Sequence, residues 1–181
     1  KNPDYPEKAL RADLARVRKI HASMQEDETT PDTRLADDPM KYNPASVSAL
    51  RELMIAGLDP GRGGAALYAR LRYFDPIRRR AGIPQDVAAL VNKMNGDHVA
   101  VTLVNLHQTE AREVVVQTGG YAEHQCTYVE VKGQKIQIDN SYFTVHLAPG
   151  TGEELMVYSK RFAHQPTFTF PWDRGKVVTV K

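Results

Sequence analysis

The chain has 181 residues, of which 41% are hydrophobic and 25% are charged, a composition that excludes a disordered chain and is typical of a folded protein. The formal net charge of +2 does not favour a polyanionic partner, so we expect no nucleic-acid binding. No apolar run reaches the roughly 20 residues of a membrane-spanning helix, and we expect no membrane span. A single cysteine, Cys126, excludes an intrachain disulfide.

The order of patterns along the chain predicts an α+β organisation, an N-terminal helical segment followed by an antiparallel β-sandwich. Residues 1–96 are predicted to form the helical segment, with a long loop and one strand, and to dock on a partner domain. Residues 97–181 are predicted to form the sandwich, with an aromatic C-terminal tail. The chain begins at Lys1 rather than Met, so we expect a processed chain or a piece of a longer protein.

Three helices are predicted in the helical segment. Pro6 to Met24 is the clearest, because its apolar residues recur three and four positions apart along one face. Its basic residues are interrupted by acidic ones, which indicates a solvated face rather than a nucleic-acid surface. A second helix is predicted to start at Asn43-Pro44 and end at Gly57, and a third to follow Ile83-Pro84 and end at Asn95-Gly96.

Gln25 to Asn43 is predicted to be a long loop, because it has few apolar residues, three acidic patches and two prolines. Two interpretations remain open. The loop either crosses a partner surface or the rim of a site, with Asp32 and Arg34 as polar contacts, or it is a solvated linker.

Two further features precede the sandwich. Asp59 to Gly64 is rich in glycine but lacks the Gly-Lys-Ser/Thr ending of a phosphate-binding loop, so we expect a close backbone turn there. Ala66 to Phe74 alternates in a way that predicts a strand with one mixed aromatic and basic face.

From His98 to Phe162, short alternating apolar runs are separated by turn residues, with no helical pattern between them. About five strands in this arrangement favour a sandwich over parallel units with crossover helices. In one of these runs Phe143, Val145 and Leu147 share a face, which is typical of a sheet with one buried side.

The tail from His164 to Trp172 is aromatic and interrupted by prolines, which exclude it from a central strand. Its three large rings, Phe168, Phe170 and Trp172, are expected either to plug the sandwich or to lie on another surface. Val177 to Val180 could add an edge strand.

The residues do not identify a reaction. Five histidines fall in the β-region without a close ligand pair such as His-x-His, so we expect neither a metal site nor a cofactor. His124 and Cys126 share one side of a strand, but without an orienting partner the cysteine is expected to be buried and structural. Catalytic residues are therefore unassigned. Five aromatic residues could stack a sugar or fill the core, namely Tyr121, Tyr128, Tyr142, Phe168 and Trp172.

Three stretches, Val99 to Leu106, Val114 to Val116 and Phe143 to Gly150, resemble the C-terminal β-sandwich domains appended to many bacterial glycoside hydrolases and related polysaccharide-acting enzymes. The resemblance covers residues 97–162. It implies a secreted or periplasmic enzyme whose catalytic residues lie in another domain or chain. It places no catalytic motif on this sequence.

Three functions follow as hypotheses. The first is a C-terminal segment or subunit of a larger bacterial carbohydrate-acting protein, in which the sandwich supports a catalytic domain. The second is a stand-alone module that binds polysaccharide through its aromatic residues, with Tyr142 and Trp172 as contacts. The third is a structural subunit of a hetero-oligomer.

Overall fold

The structure is a computed structural model that describes residues 3–37, 42–43, 47–58, 65–175 and 177–181. It divides the chain into two units, Lys1–Glu52 and Leu53–Lys181. The glycine-rich stretch Asp59 to Gly64 and Pro44, at the predicted start of the second helix, lie outside the described residues. None of the described helices is both long enough and apolar enough to cross a membrane.

The first unit carries helices α1 (Tyr5–Gln25) and α2 (Pro31–Asp37) and most of α3 (Ser48–Ile55). The helix predicted from Pro6 to Met24 is confirmed. No residue of α1 is buried, and Leu14 and Met24 on its apolar face are about half exposed.

Helix α2 corrects the prediction of a continuous loop from Gln25 to Asn43. Thr30 caps this helix, because its hydroxyl accepts a hydrogen bond from the Thr33 backbone N–H at 3.3 Å. Pro31 follows at the first helical position, where its missing N–H costs nothing. The sequence Thr-Pro-Asp-Thr is thus a helix start, which the acidic and polar composition of the segment concealed.

The second unit is a sandwich of two five-stranded sheets, which confirms the predicted fold class. Sheet 1 has the strand order β10-β8-β5-β1-β2 and sheet 2 the order β3-β4-β9-β6-β7, and among these neighbours only β10 and β8 are parallel. The strands are β1 (Leu71–Asp75), β2 (Arg80–Ala81), β3 (Val87–Met94), β4 (His98–Asn105), β5 (Arg112–Thr118), β6 (Gln125–Val131), β7 (Gln134–Asn140), β8 (Tyr142–Leu147), β9 (Gly152–Lys160) and β10 (Thr179–Val180).

Strand β3 replaces the helix predicted after Ile83-Pro84, and that prediction is wrong. Val87, Ala89 and Val91 are buried at every second position, and β3 pairs with β4 along its length. The same segment places apolar residues three and four positions apart, so its local pattern suits either structure. The segment forms a strand because its alternate side chains are buried between the two sheets, which is a long-range effect. In the described part of the chain, three strands therefore precede residue 97, which the sequence predicts as the start of the sandwich.

The core lies between the sheets. Leu71 and Tyr73 of β1 point into it, while Phe74 belongs to a separate cluster on the outer side of sheet 1, as the alternation of this segment predicts. The outer side of β8 is covered at Tyr142 and Thr144 and exposed only at His146, while Phe143 and Val145 are buried in the core. The predicted single buried side therefore holds only near the end of the strand, and Arg174 and Trp172 contact Tyr142 at its start.

Candidate functional site

The C-terminal tail, residues 161–175, lies against the loop between β5 and β6. The backbone N–H of His164 donates to the Glu123 carbonyl at 3.2 Å, and that of Thr167 donates to the Tyr121 carbonyl at 2.8 Å. The Phe162 N–H donates to Nδ1 of His124 at 3.1 Å. Three main-chain donors thus fix the start of the tail.

The β5–β6 loop is shaped by Gly119 and Glu123. Gly119 has φ +87°, a left-handed conformation that favours glycine, and a Cβ there would collide with the Glu123 carboxylate. That carboxylate accepts hydrogen bonds from the backbone N–H groups of Gly120, at 3.3 Å, and Tyr121, at 2.7 Å. The loop is therefore closed by a side chain that needs the space a glycine leaves.

His124 joins the loop to the tail from a buried position. Because Nδ1 accepts the Phe162 N–H, a neutral ring carries its proton on Nε2. Burial lowers the pKa of this imidazole below its ordinary 6.5, against the opposing charge of Glu123. The Phe162 ring packs edge-on at a centroid distance of 4.9 Å. This histidine is a neutral structural contact.

Further along, the tail covers the outer face of sheet 1. Phe170 and Trp172 stack at 4.8 Å, and both rings meet Phe74 edge-on at 6.1 Å. Beneath them Phe74, Val115 and Tyr142 form a second buried cluster. Of the two positions expected for the tail rings, the structure places Phe170 and Trp172 on an outer surface. The edge strand expected within Val177 to Val180 forms as β10.

Arg174 ends the tail over the same face. Its Nη2 donates to Oε1 of Gln117, its Nη1 donates to the Ser141 hydroxyl at 3.3 Å, and its guanidinium lies 4.8 Å from the centre of the Tyr142 ring. The Tyr142 hydroxyl in turn donates to the Gly175 carbonyl at 3.2 Å. Burial lowers the pKa of Arg174 from its ordinary value. The guanidinium is thus held in a fixed, partly desolvated position.

A cleft of about 340 Å³ opens beside Arg174, between the tail and the end of β7, and we name it the tail cleft. Phe168 follows the lining residue Thr167 and is 86% exposed, packing only edge-on against Tyr121 at 5.3 Å. The cleft is lined by Ala122, Asp139, Asn140, Ser141, Tyr142, His164, Gln165, Thr167 and Arg174.

The structure brings together Tyr142 and Trp172, the two residues of the second unit that the sequence predicts as ligand contacts. Tyr142 and Trp172 belong to the same outer cluster, although Tyr142 is only 1% exposed and its ring is covered by Arg174. Tyr128 belongs to sheet 2 instead, where it stacks on Tyr158 at 4.3 Å. The five aromatic residues considered from sequence therefore do not form one platform.

Arg34 and Asp32, the two residues of the first unit predicted as polar contacts, differ in whether their side chains are already paired. Arg34 is committed to an internal ion pair, since its Nη2 donates to the Asp27 carboxylate at 2.7 Å and to the Thr29 hydroxyl at 2.9 Å. The Thr29 hydroxyl and Arg34 together keep the pKa of Asp27 below its usual range. Asp32 is exposed in the first turn of α2.

Cys126 is buried, and its thiol lies 3.7 Å from the Tyr128 carbonyl. Burial raises the pKa of this thiol to about 12, so the reactive thiolate is scarce at neutral pH. No group of three or more His, Cys, Asp or Glu residues within the described ranges is placed to hold a metal ion.

A second cleft, of about 360 Å³, lies where β1 ends and β5 begins. Two of its charged groups are paired with opposite charges. Arg112 donates to the carboxylates of Glu110 at 2.7 Å and Asp86 at 3.1 Å, and Asp75 forms an ion pair with Arg80 at 3.4 Å. The tail cleft, where Arg174 forms no ion pair with any residue that the structure describes, is the stronger candidate site.

Sequence reasoning missed Gln117 and Arg174, the residues that define the tail cleft. The sequence does contain one indication for Gln117: a polar residue that directly follows the apolar run Val114 to Val116 is a candidate for a buried polar contact. Comparison of the chain with protein-family models, curated proteins and solved structures finds no match. Function is therefore argued from the geometry of the site.

Proposed function

We propose that the sandwich is a carbohydrate-binding accessory unit of a larger bacterial polysaccharide-acting protein, and that the tail cleft holds the glycan. The observation that carries this proposal is a cleft lined by amide, imidazole, hydroxyl, guanidinium and carboxylate groups, with the exposed Phe168 directly following the lining residue Thr167 in the chain. Sugars present hydroxyls to such polar groups and apolar C–H faces to aromatic rings. The strand resemblance to domains appended to glycoside hydrolases supports the same proposal.

Preorganisation favours binding at this cleft. The tail is held by backbone hydrogen bonds to Tyr121 and Glu123, and Arg174 is held by Gln117 and Ser141. A ligand entering the cleft would therefore order few additional side chains, and less binding free energy would be lost to conformational entropy.

Support of a catalytic domain on another segment or chain is the second candidate function. It is favoured by large apolar side chains that are exposed in the second unit, among them Tyr68, Met94 and Phe162, the last of which is 65% exposed. Exposed apolar groups of this kind are typical of docking surfaces when they are contiguous. Native mass measurement of the protein from its source tests this function: a larger co-purifying chain supports it, and the 20.3 kDa chain alone contradicts it.

Glycan binding is tested by isothermal titration of the 181-residue chain with a panel of neutral and acidic oligosaccharides. We expect at least one of them to bind, and we expect Phe168→Ala to weaken that binding about three- to tenfold, the contribution of one stacking ring. Tyr68→Ala, which removes another exposed ring outside the cleft lining, is the matched control and should leave affinity unchanged.

Two results would contradict the proposal. If no oligosaccharide of the panel binds, glycan recognition is wrong for this chain. If a glycan binds and Tyr68→Ala weakens binding while Phe168→Ala does not, the tail cleft is the wrong surface.

A further inference from the structure

Two arginines on the outer face of sheet 1 have no acidic partner. Arg72 donates to the Gly120 carbonyl at 2.8 Å and lies 5.1 Å from the centre of the Phe74 ring. Arg174 donates to Gln117 and Ser141 and lies over Tyr142. Neither forms an ion pair with a described residue, whereas Arg112 pairs with two carboxylates.

These two charges act on each other. Arg72 lies over Phe74 and Arg174 over Tyr142, two rings of the same buried cluster. Burial lowers the pKa of Arg174, and the positive charge of Arg72 lowers it further. A partly desolvated cation without a carboxylate is costly, and an anion that enters from solvent would relieve that cost.

Arg174 also has donors to offer. A guanidinium carries five N–H groups. The protein accepts one from each terminal nitrogen, and Nε is buried without a partner. One hydrogen therefore remains on each terminal nitrogen. A carboxylate or sulfate accepts two hydrogen bonds from one guanidinium.

We propose that the tail cleft takes an acidic sugar residue, whose carboxylate or sulfate binds Arg174 while Arg72 adds electrostatic attraction. This inference rests on the proposed carbohydrate-binding function and names its substrate class. Gln117 acts as a positioning residue, because its amide nitrogen donates to the carbonyls of Gly119, at 3.1 Å, and Gly120, at 3.4 Å, while its oxygen holds Arg174.

Asp139 sets a limit on where the anion sits. Its carboxylate accepts a hydrogen bond from the Gln137 amide at 2.7 Å and belongs to the same cleft lining. It repels an anionic group and would direct the acidic substituent of a sugar toward Arg174.

The test compares the affinities of a trigalacturonate, its methyl ester, a sulfated galactan oligosaccharide and its unsulfated counterpart, all measured by titration with the 181-residue chain at low salt. We expect at least one acidic probe to bind about tenfold or more tightly than its neutral counterpart, as a charge-assisted bidentate pair implies. The two acidic probes distinguish a carboxylate ligand from a sulfate ligand.

Matched variants assign the preference to a residue. Arg174→Gln should abolish the preference for the acidic probe, Arg174→Lys should restore only part of it, and Asp139→Asn should increase it. Arg161→Gln removes the same charge from an exposed arginine outside the cleft lining and should leave the preference intact. Trp172, the only tryptophan, reports by its fluorescence whether each variant keeps its tail in place.

The outcomes separate the two proposals. Equal affinity for an acidic probe and its neutral counterpart overturns this inference and leaves carbohydrate binding standing. An acidic preference that Arg161→Gln reduces as much as Arg174→Gln also overturns it, because the attraction would then be general. If none of the probes binds and the wider panel also fails, the proposed function itself is wrong.

Discussion

The two outer faces of the sandwich differ in what covers them. On sheet 1 the C-terminal tail lies over Phe74, Val115 and Tyr142, and all three are buried. On sheet 2 the corresponding outward side chains, such as Met156 and Tyr158, are only half-buried. Both faces belong to five-stranded sheets with similar alternation, so the tail accounts for the difference.

On the open face of sheet 2, polar and aromatic side chains contact one another across neighbouring strands. Tyr158 stacks on Tyr128 at 4.3 Å, and Asn92 donates to Thr102 and Glu154, each at 3.2 Å. These groups of the open face thus find their partners across the strands of the same sheet. The tail cleft, whose Arg174 forms no ion pair with a described residue, lies where the C-terminal tail crosses sheet 1, so the candidate site belongs to the covered face.

The largest expected effect contrasts a residue of each face. Phe74→Ala should lower the free energy of unfolding by about 3–5 kcal/mol, since it empties the cluster beneath the tail. Met156→Ala on the open face should cost only about 1–2 kcal/mol, because its side chain is half-buried. Urea unfolding curves of the two variants measure both values. Equal losses would show that the tail adds no burial to sheet 1.

A smaller effect tests the loop that anchors the tail. Gly119→Ala imposes a side chain on a left-handed residue and displaces the Glu123 carboxylate, so we expect it to cost about 2–3 kcal/mol. Gly133→Ala is the control, because Gly133 also has a positive φ, of +76°, but nothing lies near its added Cβ. It should cost about 1 kcal/mol from backbone strain alone. The difference between the two variants, measured by the same unfolding experiment, isolates the contact with Glu123; no difference would mean that the carboxylate does not order the loop.

Local pattern was sufficient for much of this fold. The run from Tyr142 to Leu147 alternates with a period of two, the runs in β4 and β5 are short and largely apolar, and each of the three forms a strand. The apolar residues of Val87 to Met94 fit both the helical and the strand period, so the sequence pattern does not distinguish a helix from a strand there. Pairing with β4 makes this segment a strand. The helix at Pro31 is indicated by the cap residue Thr30 and by Pro31 at the first helical position, whereas the polar composition of the segment indicates a loop.

The candidate site could not be predicted from pattern, because it depends on contacts between distant segments. Gln117 and Arg174 are 57 positions apart, and only the path of the tail brings them together. Tyr142 and Trp172 were predicted from the sequence as sugar or partner contacts, which stays a prediction, and the structure places both residues in one cluster. Their role as cover for sheet 1, rather than as an open platform, depends on the packing of Arg174 over Tyr142.

The smallest expected effect is a pH dependence of the covered face. Because the folded-state pKa of His124 is lowered, the unfolded chain binds a proton first as the pH falls below the ordinary value of 6.5. Stability is therefore fully present above this value and is lost as the pH falls, by at most about 1.4 kcal/mol per pH unit for one proton. Protonation also converts Nδ1 from an acceptor into a donor, which removes the hydrogen bond from Phe162.

The groups around His124 determine how clearly this titration is seen. Glu123 favours the protonated ring, while Arg70 and Arg161 oppose it together with burial. His124→Gln should flatten the loss of unfolding free energy between about pH 7.5 and about pH 5.5, whereas His164→Gln, at an exposed histidine of the same tail, should keep the wild-type slope. If His124→Gln keeps the wild-type pH dependence of the free energy of unfolding, the acid sensitivity belongs to other groups. The contact between His124 and Phe162 would then contribute nothing to it.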